Sequence, residues 1–416
     1  MKLSTDQQLA LDAIMDFLID PDEREMALSG SSGSGKTTLV EHVIKTAKQQ
    51  APMLKLITGD DDELRVVLTS STNKAAKVLM DATKYKAGTI HKLLGLRVFN
   101  DYSNGKTKLL KTKETKVYAN TLIILDEGSM VSLDLLKVIR EQTIDCKILF
   151  VGDANQLAPV FETTAPVFSN VPKQVHLTTI QRQAAGNPII QFGQDFVSYL
   201  KGNPFPPITS VGTEIQWMSG QDFQNAIDYE FKAMTHDNDA RALAWTNKRV
   251  HELNSYIRHT TGHNQEYVVG ERVLTNQPVM DGNRNILNTD DIAEITKITD
   301  STKADINGWD ITLNNKVRVF QAYNQHEVTT AIKIASKAKN WPLYFAYKED
   351  FADLRPIFAC TIAKSQGSTY KTVFLDLDDI GKCRQNTDIA RMMYVASTRP
   401  SEKLIMTGTL PARLYK

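Results

Sequence analysis

The chain has 416 residues, of which 42% are hydrophobic and 23% charged, and 49 Lys+Arg against 48 Asp+Glu leave a formal net charge of +1. That near-balance excludes a protein that binds nucleic acid by bulk positive charge, though not one with a local basic groove. At about 150 residues per domain the length predicts two to four domains. Cys146, Cys360 and Cys383 stand far apart with no C-x-x-C pair, so neither zinc nor a disulfide framework is indicated and a reducing compartment is expected. Met1–Gln8 has no apolar signal-type run, and no stretch approaches the roughly 18 apolar residues that cross a bilayer. The expectation is a cytoplasmic chain with no membrane partner.

The spacing of apolar residues predicts a helix over 4–19, with Leu9, Leu11, Ile14, Met15, Leu18 and Ile19 on one stripe and Ser4 or Thr5 as cap. Gln7 and Gln8 sit at its start. The apolar run Met26-Ala27-Leu28 then leads into Gly30-Ser-Ser-Gly33-Ser34-Gly35-Lys36-Thr37-Thr38, which has the spacing G-x-x-x-x-G-K-[ST] of a phosphate-binding loop. A helical pattern follows. Glycines let such a backbone wrap a phosphate, and its N–H groups and the helix N-terminus face the anion. Lys36 is placed to reach the β- and γ-phosphates and Thr37 to offer its hydroxyl to Mg²⁺. The chain is therefore expected to bind a nucleoside triphosphate.

Leu64–Thr69 reads as a strand and Ser70–Ala76 as a polar loop opening a helix, the α/β alternation of a parallel sheet. Thr72, Asn73 and Lys74 either contact a ligand at the strand end or cap that helix. Thr89 opens a helical segment containing His91. Arg97–Lys116 reads as a β-hairpin turning at Asn104-Gly105. Five lysines lie on its second half, and Phe99 and Tyr102 on its first strand. Cations and rings suit nucleic acid; lysines on an edge hairpin equally serve to prevent aggregation.

Asn120–Asp126 is a buried strand ending in Asp126-Glu127. After a phosphate-binding loop, an acid here is expected to hold Mg²⁺, and Glu127 is the natural base for an attacking water. Lys147–Gly152 is the next strand, with Asp153 and Gln156 at its C-terminal end. Asp153 is a turn former or a ligand contact, and Gln156 can report on the γ-phosphate. Arg182 has the short polar setting of a charge stabiliser. Ala240–Val250 repeats the strand, Thr-Asn-Lys, helix arrangement with Asn247. Residues 265–325 read as all-β, with turns at Asn307-Gly308 and Asn314-Asn315, and 326–352 as helical with clustered aromatics. Phe358–Ser368 returns to strand–loop–helix. The helical run Met392–Thr398 ends before Pro400, leaving Arg399 either to point across a cleft or to sit as an ordinary cation at a helix end.

The order of these segments resembles the motifs of superfamily 1 helicases from Leu3 to about Met406, and within them the RecD-like branch (superfamily 1B) and its bacteriophage Dda-type members. Gly152-Asp-Ala-Asn-Gln156-Leu-Ala-Pro159-Val160 is the most specific match. The resemblance implies an α/β fold of two RecA-like P-loop domains with parallel sheets. It places the first at 1–96 and 120–185 and the second at 186–275 and 353–416. A small β-hairpin insertion (1B) with a strand-separating pin falls at 97–119, and an SH3-like barrel insertion (2B) with a helical extension at 276–352. ATP and Mg²⁺ are the implied cofactors. Single-stranded and forked duplex DNA are the implied partners, with 5′-to-3′ movement, and a single-strand-binding protein or other replication proteins are possible associates in a phage-infected host cytoplasm. Carried over by position, Gln7 reads adenine. Gly30, Gly33, Ser34, Gly35, Lys36, Thr37, Thr38 and Gly367 surround the nucleotide, with Thr37 and Asp126 on the metal. Lys36, Glu127, Gln156, Arg182 and Arg399 carry the chemistry. Thr72, Asn73, Lys74, Thr89, His91, Phe99, Asn247, Thr361, Lys364 and Ser365 are placed on DNA. Ser71, Gly128, Ala363 and Thr289-Asp290-Asp291 depart from the family's usual residues.

Overall fold

The computed structural model describes residues 3–50, 65–101, 106–111, 118–119, 121–159, 162, 164–179, 187–237, 239–281 and 284–416, with backbone alone at 97–101, 106–111, 281 and 284–285. The chain packs as two compact units, the first made of Met1–Leu96, Lys111–Met218 and Ile362–Lys416, the second of Arg97–Leu110 and Ser219–Thr361.

In the first unit, a six-stranded sheet runs in the order Ala87–Thr89, Arg65–Ser70, Thr121–Asp126, Lys147–Gly152, Glu25–Gly30 and Gln174–Leu177, with every neighbouring pair parallel. Successive side chains on a strand face opposite ways. Leu122 and Ile124 accordingly enter one core with Leu28, Leu39 and Val43, while Ile123 and Leu125 enter another with Phe150, Leu136 and Ile139. Both faces are covered, which is why the strands read as continuous apolar runs. The register pairs Ser70 with Asp126 and Ser29 with Gly152, so Gly30, Asp126 and Gly152 end side by side at the C-terminal edge, where such sheets bind ligands. The last segment of the chain adds parallel strands Tyr370–Asp376 and Pro400–Thr407, the latter also paired with Ile215–Trp217. The helix Asn386–Ser397 packs on Pro188–Leu200 so closely that a Cβ on Gly193 would sit 2.8 Å from the Ser397 hydroxyl.

In the second unit, Ala240–Ala244 pairs in parallel with Ala359–Thr361. An antiparallel five-stranded sheet runs Arg318–Ala322, Ile306–Leu313, Ile292–Lys303, Arg272–Thr275 and Leu354–Pro356 around Val273, Ile295, Ile311, Leu313 and Val319. Helices Gln325–Lys337 and Trp341–Glu349 follow, burying Val328 and Tyr347 with Phe320 and Phe351. Leu96–Asp101 and Lys106–Lys111 form a two-stranded sheet; the expected turn at Asn104-Gly105 lies outside the described residues.

One expected turn is corrected. Lys303 pairs with Ile306, so the hairpin turns at Ala304 and Asp305, both at positive φ (48° and 62°), while Asn307-Gly308 lies inside the strand. Gly308 serves another need. A Cβ there would lie 2.3 Å from the Gln321 carbonyl oxygen and 2.7 Å from the Phe320 ring. Glycine here permits close backbone approach rather than reversal of the chain. The Asn314-Asn315 turn is as expected, with Lys316 at φ 62°. Gly308→Ala is expected to destabilise the sheet by about 1–3 kcal/mol, the usual cost of overpacking, read as a lowered urea midpoint; an unchanged midpoint would show that the strands can part at no cost.

Candidate functional site

The phosphate-binding loop connects Glu25–Gly30 to the helix Lys36–Gln49. Gly35 caps that helix at φ 82°, and a Cβ on it would fall 2.2 Å from the Gln7 amide nitrogen. Gln7 is 2% exposed. Its oxygen accepts from the Ser4 N–H at 3.0 Å, closing a capping box on the first helix, and its nitrogen donates to the carbonyls of Ser34 and Gly35 at 3.3 Å each. Gln7 thus ties the N-terminal helix to the loop. Lys36 donates to the Gly30 and Ser31 carbonyls at 2.7 and 3.0 Å, and Lys36 and Thr37 are the first residues of the helix.

Ser32, Gly33, Gly35, Lys36, Thr37 and Thr38 share one cavity of about 310 Å³ with Asp126, Glu127, Gln156, Gly367, Ser368 and Arg399. Residues up to 367 positions apart, the difference between Ser32 and Arg399, therefore meet in one unit. Glu127 adopts φ 55°, ψ 43°, a left-handed conformation uncommon outside glycine. Burial pushes the Asp126 carboxyl up from its ordinary range, against the pull of the Glu127 N–H and of Lys36. Burial, then the neighbouring Asp126 charge, pushes Glu127 up to about 7, opposed by Lys36 and Arg399. A carboxyl near neutrality is matched to taking a proton from water. Arg399 is 3% exposed. Its Nη1 donates to the carbonyls of Ser365 and Ser368 at 3.2 and 3.1 Å and its Nε to Val395 at 3.0 Å, so backbone acceptors fix the guanidinium at the cavity wall. Gln156 accepts from the Gln366 amide at 3.0 Å.

Asp153 is both turn former and buried partner. Its Oδ1 accepts from the Asn155 N–H at 3.0 Å, and its Oδ2 accepts from the Tyr394 hydroxyl at 2.5 Å. The Tyr394 oxygen in turn accepts from the Ser32 N–H at 3.3 Å. Sequence reasoning missed Tyr394, because Met-Met-Tyr-Val-Ala reads as plain core and its hydroxyl leaves no periodic signal.

The expected DNA contacts fall in both units. Thr72 and Thr89 cap helices, accepting from the N–H groups of Ala75 and Lys92. Asn73 is exposed, Lys74 half-buried, and burial holds the half-buried His91 below its ordinary pKa. Lys364 is half-buried, and the fully buried Ser365 turns its hydroxyl to the Ile362 carbonyl at 2.7 Å. In the second unit Asn247 is exposed and accepts from Arg355 at 3.0 Å, and Thr361 is half-buried. Phe99 lies on the strand Leu96–Asp101, and Arg182 lies outside the described residues.

The donor set fits Mg²⁺. Thr37 and Asp126 offer one hydroxyl and one carboxylate beside the loop, and Mg²⁺ takes one or two protein oxygens with phosphate and water. Among the described residues no cluster of three or more His, Cys, Asp or Glu suggests another metal, and no helix is long and apolar enough to cross a membrane.

Residues 19–162 match the family model of an AAA domain, and residues 356–407 that of a UvrD-like helicase C-terminal domain. In these two stretches the chain is similar to helicase-type P-loop ATPases. It is 22% identical to the uncharacterized protein R530 of Acanthamoeba polyphaga mimivirus, over 96% of this chain and 99% of that protein. It is 30% identical to the ATP-dependent RecD2 DNA helicase of Deinococcus radiodurans over 40% of this chain, and 26% to the RecBCD subunit RecD of Haemophilus influenzae over 32%. Those matches span only 21% and 22% of the relatives. Among solved structures, Pif1 helicases described as unwinding forked double-stranded DNA give a TM-score of 0.56 at 17% identity. Pif1 from Bacteroides with ADP-AlF3 and single-stranded DNA gives 0.54 at 16%. Each covers 100% of this chain and 94% of that one. At such identity the likeness is one of fold: a mixed α/β chain with a RecA-like parallel-sheet core.

The raised Glu127 carboxyl has two consequences. Below about pH 7 the Glu127 carboxyl is protonated, so a rate that needs its carboxylate should climb about tenfold per pH unit and level off above. For stability, the unfolded chain releases this proton near 4.5 and the folded chain near 7. Between those values the folded state binds more protons, and stability falls as pH rises. Glu127→Gln should remove the Glu127 share of that fall, seen as a smaller drop in urea midpoint from pH 5 to 8, and lower turnover at least a hundredfold.

Proposed function

We propose that the chain is an ATP-dependent DNA helicase of superfamily 1B that moves 5′ to 3′ on single-stranded DNA and separates duplex strands. The carrying observation is the single cavity in which Lys36, Thr37, Asp126, Glu127 and Gln156 face Gly367 and Arg399. The backbone N–H groups and Lys36 hold the triphosphate. Thr37 and Asp126 hold Mg²⁺, which neutralises phosphate charge when bound. Glu127 takes the proton of the water that attacks the γ-phosphate, and Gln156 senses that phosphate. Arg399, and Arg182 with it, offset the charge that develops on transfer. Gln7 reads adenine by exchanging its bonds to the Ser34 and Gly35 carbonyls.

The names of the RecD-type relatives and the Pif1 fold support DNA as the track. The DNA path carries Thr72, Asn73, Lys74, Thr89, His91, Phe99, Asn247, Thr361, Lys364 and Ser365. In this reading the RecA-like domains take 1–96 with 120–185 and 186–275 with 353–416. The 97–119 hairpin is the pin, and the antiparallel sheet and helices of 276–352 form an SH3-like insertion of Dda type. The setting is phage replication or recombination in a host cytoplasm, alongside a single-strand-binding protein. A second reading, a translocase that displaces proteins or tracks RNA without separating strands, keeps the same ATP site and differs at the hairpin.

Lys36→Ala should abolish DNA-stimulated ATP turnover, and Arg399→Ala should lower it on the order of 10³-fold, the scale of such arginines. Duplexes with a 5′ tail should be unwound and those with only a 3′ tail left intact; the reverse preference would sink the polarity. Shortening the hairpin at Asn104-Gly105 should abolish unwinding and spare ATP turnover, whereas unimpaired unwinding would favour the translocase.

A further inference from the structure

Tyr394 stands apart from the groups assigned so far, because it joins two parts of the cavity without lining it. Its side chain is completely buried. Its hydroxyl donates to Asp153 at 2.5 Å, while its oxygen accepts from the Ser32 N–H at 3.3 Å. Ser31 is held from the adjoining helix by Gln194 at 3.3 Å. On the far side, Asp153 shapes the turn that carries Gln156: its Oδ1 takes the Asn155 N–H and its carbonyl takes the Gln156 N–H at 3.2 Å. Gln156 then meets Gln366. A continuous chain of hydrogen bonds therefore runs from the phosphate-binding loop through Tyr394 to the Gln156 end of the cavity.

The two bonds at the Tyr394 hydroxyl are unequal. The one to the Asp153 carboxylate is short and charge-assisted. The one from Ser32 is long and runs to a neutral oxygen. The Ser32 amide belongs to the loop whose N–H groups wrap phosphate, and a phosphate oxygen is a stronger acceptor than a phenol. Bound phosphate should take the Ser32 N–H and leave Tyr394 held by Asp153 alone.

We propose that Tyr394 is a positioning residue that relays phosphate occupancy at Ser32 to the Asp153–Gln156 turn. This rests on the ATP reading of the cavity. The relay accounts for a buried tyrosine hydroxyl on an otherwise apolar helix face, and it makes the setting of Gln156 depend on the loop without either touching the other.

The test uses Tyr394→Phe, which keeps the ring and its packing, with a fluorescent ADP as probe. ADP affinity should stay within threefold of wild type, since the loop loses only a competitor for Ser32, while kcat for ATP should fall at least tenfold. In the double variant with Gln156→Ala, kcat should lie within threefold of Gln156→Ala alone, because both changes break one chain. A merely structural tyrosine would give multiplying losses or an unchanged kcat, and either result overturns the relay. On the wild-type protein, ADP should alter amide hydrogen exchange at Asn155 and Gln156, which serves even if the Phe variant fails to fold. ADP that binds with no change there overturns the relay alone; ADP that does not bind at all overturns the ATP reading beneath it.

Discussion

Two adjacent carboxyl groups, Asp126 and Glu127, sit half-buried at the end of a central strand, and the first unit is arranged so that they can remain there. Like charges so close in a poorly hydrated site repel, and each loses hydration. Lys36 on one side and Arg399 on the other supply the opposing field. Neither cation can come from the acids' own strand. One arrives on the helix that follows the phosphate-binding loop, the other just past the end of Asn386–Ser397. The parallel sheet makes this possible, since every strand delivers its C-terminal end to the same edge.

A polyanion entering that field would change it sharply. Lys36 rests on two loop carbonyls and Arg399 on three backbone carbonyls. These are neutral acceptors that hold a cation in place yet yield to an anion more readily than a carboxylate would. The positive groups are thus held in advance on neutral acceptors, an arrangement that would take an anion with little reorganisation.

Much of this was legible in the sequence, for definite reasons. The loop, the acid pair, Gln156 and Arg399 stand out because polar residues at the ends of apolar runs have no packing role to explain them. Tyr394 was not legible: it sits inside an apolar run, and its function lies in one oxygen atom. Thr72 and Thr89 show a different ambiguity, since a hydroxyl that caps a helix and one that faces a ligand have the same sequence context. Gly308 shows a third. Glycine permits both a reversed chain and a close approach, and only the register of Lys303 with Ile306 decides between them. The capping box of Gln7 was readable from Ser4 and its spacing, but not that the same amide would brace the loop.

The left-handed backbone at Glu127 bears on how this protein can change over generations. Glycine or asparagine would occupy that conformation with less strain, and a neutral side chain would also relieve the repulsion from Asp126. On stability grounds glutamate is therefore among the worst choices at this position. On stability grounds alone Gly or Asn would be preferred at this position, so a glutamate here carries a cost that only a role for its carboxylate would offset.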